Sequence, residues 1–264
     1  MNRHILPLLL VASLLLAACS DIDSDERLIY VKPADVARAV LIEDFTGQRC
    51  LNCPTATDII DSLIATYGDT TVIAVGIHSG PLGFTGSTKY PVGLKTDLGD
   101  VYYEYWGLDH QPVGVINRQG ASEYTDWQAL VYAAVQEQAT LSLQTDIDYD
   151  EDTRLAIIEV KAVGTNGDTD GYLQVWLTED SITAVQILPD GSYDADYVHN
   201  HVFRDAVNGT WGEQTTVIEG DTTRFSYTYT LDEDWVSEHV SAVVFLYNSD
   251  GVQQVMKQAL IADE

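Results

Sequence analysis

Cys50 and Cys53 are separated by Leu51 and Asn52 and followed by Pro54, a spacing that lets two thiols meet across one turn of chain. If the run after them is helical, Cys50 opens a helix, where free backbone N–H groups and the macrodipole favour an anion. Arg49 adds positive charge, and both bias the Cys50 thiol toward thiolate. Cys53, one turn later, can then attack a mixed disulfide formed at Cys50. The same pair read statically is a disulfide that staples the helix start, as expected for an exported chain. Zinc is a weaker reading, because one such pair lacks a second ligand pair and His78 and His110 hold no fixed spacing to it.

Such chemistry needs a strand, a tight turn and a helix in that order. Ala39 to Phe45 is an apolar run of strand length, Thr46 to Arg49 form the turn, and Ile59, Ile60, Leu63 and Ile64 recur at helical spacing up to Gly68. Thr71 to Ile77 is a second strand. Thr125 to Gln128 reads as a capping box opening a helix through about Gln138. Between Ile77 and Pro112 lies an enlarged connection with Tyr90, Tyr102, Tyr103, Tyr105 and Trp106, and a helix is expected across Asp97–Tyr105. Packing of these aromatics against a sheet is favoured over a recognition role.

These motifs together resemble thioredoxins. Asp44 and Phe45 precede Cys50 by the spacing at which that family carries a buried carboxylate followed by Phe, and Gln111 to Gly120 is similar to its cis-proline, strand and glycine turn. The resemblance implies that Asp44 manages the proton of Cys53. It also implies that Pro112 lies against the cysteine pair and lines a groove for an extended substrate. Arg49 stands where the family usually carries an aromatic, and Leu51-Asn52 is not a common thioredoxin dipeptide.

From Ala139 the period changes to two. Leu141, Leu143, Thr145 and Ile147 share one face, Ala156, Ile158, Val160 and Ala162 another, and Phe225, Tyr227 and Tyr229 repeat the pattern. With Tyr172–Leu177 and Ala242–Tyr247 this suggests about seven short strands in an immunoglobulin-like sandwich without cysteine. Asn166 to Gly171 resembles the opening of a calcium loop, but Leu177 occupies the twelfth position and a turn explains the segment. His199 and His201 would face one side of a strand and could share a metal, with His239 remote; hydrogen-bonded structural histidines are the simpler reading.

The start of the chain reads as an export address. A short basic start, an apolar run from Ile5 to Leu16 too short to span a bilayer, and Leu16-Ala17-Ala18-Cys19 resemble the bacterial lipobox, which implies cleavage before Cys19 and its lipidation. Residues 20–26 form an acidic tether, and Ser20 resembles outer-membrane sorting. Expected divisions are 1–18 signal peptide, 19–30 lipidated cysteine and tether, 31–138 thioredoxin-like domain, and 139–264 β-sandwich.

The net charge of -28 disfavours nucleic acid and anionic lipid as partners. Residues 1–138 carry 17 acidic and 8 basic groups, against 24 and 5 in residues 139–264. A soluble, solvated surface explains that excess more simply than cation binding.

Tyr197 to Arg204 and Thr210 to Glu213, with Phe45 to Gln48 and Cys50 to Pro54, resemble the twenty-eight-kilodalton outer-membrane-protein family of Bacteroidota lipoproteins. The likeness implies a lipid anchor, an α/β thioredoxin-like domain followed by an all-β immunoglobulin-like sandwich, and a surface or adhesin-like role with no established reaction. Two functions follow. One is thiol–disulfide exchange on exported proteins by Cys50, Cys53, Asp44 and Pro112. The other is non-enzymatic surface binding with a structural Cys50–Cys53 pair. Both place the chain at the outer membrane through lipid on Cys19, facing the periplasm or the cell exterior, and neither requires a cofactor or metal.

Overall fold

Strand β1 (Val40–Thr46) is buried along its whole length, because it is flanked on both sides and covered on both faces. It pairs in parallel with β2 (Val72–His78) and antiparallel with β3 (Val113–Ile116). A strand buried on both faces reads as a continuous apolar run rather than an alternating one. Helices α1 (Cys53–Tyr67) and α3 (Trp127–Ala134) pack on the face carrying Val40 and Ile42. The opposite face, with Leu41 and Phe45, packs beneath α2 (Asp97–Tyr105). The computed structural model describes residues 36–261; the expected signal peptide, Cys19 and tether lie outside them. Among the described residues no helix is long and apolar enough to cross a membrane.

Helix α2 has the range expected from the sequence, capped by the Thr96 hydroxyl accepting from the Gly99 N–H. The expected capping box at Thr125 does not form. Residues Tyr124–Asp126 make a 3-10 turn without a side-chain cap, and α3 ends at Ala134. The short β4 (Ala121–Glu123) completes this edge beside β3.

The remaining strands are β5 (Leu141–Asp150), β6 (Leu155–Gly164), β7 (Thr169–Glu179), β8 (Ile182–Thr183), β9 (Gln186–Ile187), β10 (Tyr193–Asp194), β11 (Val198–His199), β12 (Val202–Ala206), β13 (Glu213–Val217), β14 (Thr222–Thr230), β15 (Val240–Asn248) and β16 (Gly251–Ala259). Among the described residues they number twelve rather than about seven. The sheet β14-β6-β5 lies against the antiparallel strands β13, β7, β15 and β16, with Leu141, Ile158, Val175, Val244 and other apolar side chains between them.

The chain does not part at 138/139. The described residues fall in one compact unit, and one sheet runs β16-β15-β7-β12-β2-β1-β3-β4 through both halves. The seam is narrow: Val202 of β12 pairs with Gly76 of β2, and the Gly76 N–H donates to the His201 carbonyl at 2.7 Å. Packing widens it. Tyr102 of α2 meets Trp176, Phe203 and Trp211, and its hydroxyl accepts from Trp176 Nε1 at 3.1 Å while donating to the Thr210 carbonyl. The expected packing role of the α2 aromatics is thus met by Tyr102 and Tyr103, whereas Tyr105 stays exposed.

Candidate functional site

The turn after β1 delivers Cys50 to Cys53. The Cys50 N–H donates to the Gly47 carbonyl, and the two sulfurs form a disulfide with Cα atoms 5.4 Å apart. Gly47 is required here, because a Cβ at that position would overlap the Leu82 carbonyl. Helix α1 starts at Cys53 with Pro54 in its first turn, so Cys50 precedes the helix rather than opening it. Proline is pre-organised for a first turn and sets the start there.

Both cysteines are enclosed: Cys50 is 1% and Cys53 2% exposed. The cover comes from the C-terminal half. Gln186 Nε2 donates to the Cys50 carbonyl at 2.9 Å and to the Gly47 carbonyl at 3.4 Å. The Ile187 N–H donates to the Gln48 carbonyl, and Gln48 Nε2 donates back to the Val185 carbonyl at 3.0 Å. Gln48 Oε1 also accepts from the Leu94 N–H, which ties in the connection after β2.

Beside Cys53 lies a small cavity of about 30 Å³, lined among others by Asp44, Thr57, His78, Gln186, Tyr197 and His199. Asp44 stands opposite Gly76 and Gly114 in the register of its two neighbours. Burial pushes its carboxyl up to about 7. His78 and His199 meet edge to face with ring centroids 5.2 Å apart. Burial lowers both, His199 to about 4, and the His199 and Arg204 charges push His78 down further. The structure therefore brings Asp44 and Cys53 to one cavity. Pro112 follows a cis Gln111–Pro112 bond but is not among the cavity's lining residues. The Gln111 side chain bonds Thr46, Ser79 and Leu82 backbone groups instead.

The opposite face of β1 carries Glu43, fully buried and 2.9 Å from Arg118 Nε. Burial raises its carboxyl against the opposing pull of Arg118. Arg118 lies over the rings of Tyr247, Phe245 and Trp176, at 4.1, 5.0 and 5.2 Å from their centroids, so this pair joins the two halves.

His199 and His201 do not share a site. His201 leaves the strand with a positive φ of 57° and sets Nδ1 3.0 Å from Asp180, while His199 turns to His78. In the segment resembling a calcium loop, Asp168 accepts from the Glu219 N–H, Asp170 from the Thr216 hydroxyl, and Leu177 is core. Among the described residues no three His, Cys, Asp or Glu side chains group to hold a metal.

Sequence reasoning missed Gln186, Tyr197 and the His78–His199 contact. Gln186 sits in a two-residue strand too short to show a period, and His78 closes a strand that its apolar residues alone define.

A family model described as outer membrane protein Omp28 matches residues 99–264. Among solved structures, HBP35 of Porphyromonas gingivalis is similar with a TM-score of 0.67 at 13% identity, over 85% of this chain and 76% of that one. A protein from Agrobacterium tumefaciens is similar with a TM-score of 0.51 at 14% identity, over 86% and 97%. A domain of the outer membrane lipoprotein Omp28 from Porphyromonas gingivalis is 28% identical over 45% of this chain and 86% of that domain, with a TM-score of 0.33. A comparison with curated proteins finds no match. The first two likenesses, at 13% and 14% identity, bear on fold alone.

Proposed function

Because the chain belongs to the Omp28 family of outer membrane proteins, we propose that it is an outer-membrane lipoprotein, anchored through Cys19, that binds a surface or exported partner and uses its Cys50–Cys53 disulfide as a structural staple. In this reading a thioredoxin-like half is the scaffold and an immunoglobulin-like half extends it. The observation that carries the reading is the cover: both cysteines are buried, and Gln186 from the other half of the chain is bonded to the Cys50 carbonyl beside them. A thiolate must reach a substrate disulfide in line to attack it, and this cover stands in the way.

The test is dithiothreitol-driven reduction of insulin by the full chain. Equal turnover for wild type and Cys50→Ser supports the staple; acceleration by wild type alone overturns it.

Thiol–disulfide exchange is the second reading, with Cys50 attacking, Cys53 resolving and Asp44 taking the proton. The observation favouring it is the Asp44 carboxyl, raised to about 7 in the cavity it shares with Cys53. It requires the 185–187 cover to move, and the insulin assay decides between the two readings.

A further inference from the structure

A cleft of about 460 Å³ opens on the outer side of the same cover, lined by Arg49, Phe84, Lys89, Tyr90, Val185 and Tyr193 among others. That volume lies within the ~300–1,000 Å³ common for small-ligand sites. Its two cations lie over aromatic rings rather than against carboxylates. Of the ten Lys and Arg in the described residues, Arg38, Lys95, Arg118, Arg204 and Lys257 are ion-paired to carboxylates. Arg154 is held by backbone carbonyls. Among the described residues the other four, Arg49, Lys89, Lys161 and Arg224, form no ion pair, and of these Arg49 and Lys89 share one cleft.

Both are held by aromatic faces instead. The Arg49 guanidinium lies 4.7 Å over Phe84, and Lys89 Nζ lies 4.7 Å over Tyr90. A guanidinium stacked on a ring keeps its in-plane N–H edges free for a planar, two-oxygen acceptor. Tyr90 and Tyr193 add two near-parallel rings with centroids 6.3 Å apart, and Tyr193 is 62% exposed.

We propose that this cleft binds a carboxylated sugar, a uronic-acid unit of an acidic glycan, with Arg49 and Lys89 on the carboxylate and the tyrosines against the ring. The proposal rests on the binding reading above and names its ligand class. A monoanion fits better than a phosphate dianion, because the surrounding negative field repels a dianion twice as strongly. Aromatic faces beside phenol and Ser87 hydroxyls suit a ring with one apolar face and hydroxyl edges, which an acidic peptide does not offer.

Calorimetric titration of the full chain in detergent with tetragalacturonate, its neutral tetragalactose counterpart and tetraglutamate tests this. The expected result is saturable binding of tetragalacturonate alone. Arg49→Gln and Lys89→Gln should each weaken it about tenfold, as loss of one charge-assisted hydrogen bond implies, and Tyr193→Ala should weaken it severalfold. These side chains are at the surface, and unchanged circular dichroism of each variant confirms folding. No heat with tetragalacturonate, equal binding of tetraglutamate or tetragalactose, or variants that bind like wild type would overturn the proposal. Those results leave the insulin outcome untouched, so failure of the ligand assignment and failure of the binding reading are separable.

Discussion

Arg118 and Arg49 both lie over aromatic rings, yet the molecule surrounds them differently. Arg118 is enclosed by Tyr247, Phe245 and Trp176 and paired with the fully buried Glu43. Arg49 lies on Phe84 at the mouth of an open cleft, with no carboxylate among the described residues. A desolvated guanidinium must be paired or it costs several kcal/mol, so Arg118 is fixed in place and holds the halves together. A hydrated one needs no partner, and Arg49 stays available to something outside the chain.

Residues 185–187 lie between the cysteine pair and the cleft that holds Arg49. Side chains alternate across an extended segment, so Gln186 turns inward to the carbonyls of Cys50 and Gly47 while Val185 and Ile187 line the cleft. Three residues thus form both the lid over the disulfide and the wall of the open site.

If the enclosed arginine depends on its partners as these contacts indicate, Arg118→Ala will be the most damaging change, costing about 3–5 kcal/mol by leaving Glu43 buried and unpaired; urea unfolding at pH 7 reads it. The next effect is a pH dependence. Asp44 titrates near 7 when folded and near 4 when unfolded, so the native state holds the proton more tightly. Its contribution to stability is full below about pH 4 and is lost as pH rises through 7. Relative to Asp44→Asn, wild type should lose about 3 kcal/mol between pH 5 and pH 8. A flat difference between the two proteins would mean that Asp44 is not desolvated.

Gln186→Leu removes the donor to the Cys50 carbonyl and should cost about 1–2 kcal/mol, with faster reduction of the disulfide by dithiothreitol. At the open end, Arg49→Ala should change stability by less than about 0.5 kcal/mol. A loss comparable to that of Arg118→Ala would erase the contrast between the two arginines.

Local features of this fold were legible in the sequence, and long-range ones were not. The strand, turn, cysteine pair and helix around Cys50, the helix at Asp97–Tyr105 and the alternating strands around Ile158 and Tyr227 all follow from periodicity and capping within a few residues. The sheet that joins the halves rests on a single pairing between Val202 and Gly76, which leaves no periodic signature. The lid over Cys50 is likewise a contact between residues 136 positions apart. A pattern of two correctly placed His199 in a strand but carried it on to His201, where a positive φ ends it. Asp44 was legible only through its resemblance to a known arrangement; that Glu43, its neighbour, would be buried on the opposite face had no such cue.

The central claim is that the 185–187 segment closes the cysteine pair. Reduction of the native disulfide by dithiothreitol, followed by alkylation and mass detection, tests it against an oxidised peptide of sequence Cys-Leu-Asn-Cys. A closed pair requires local opening, and an opening free energy of about 3 kcal/mol slows native reduction on the order of a hundredfold. The predicted result is that slowing, together with its relief in Gln186→Leu. Reduction of the wild-type protein within a few-fold of the peptide rate would contradict it.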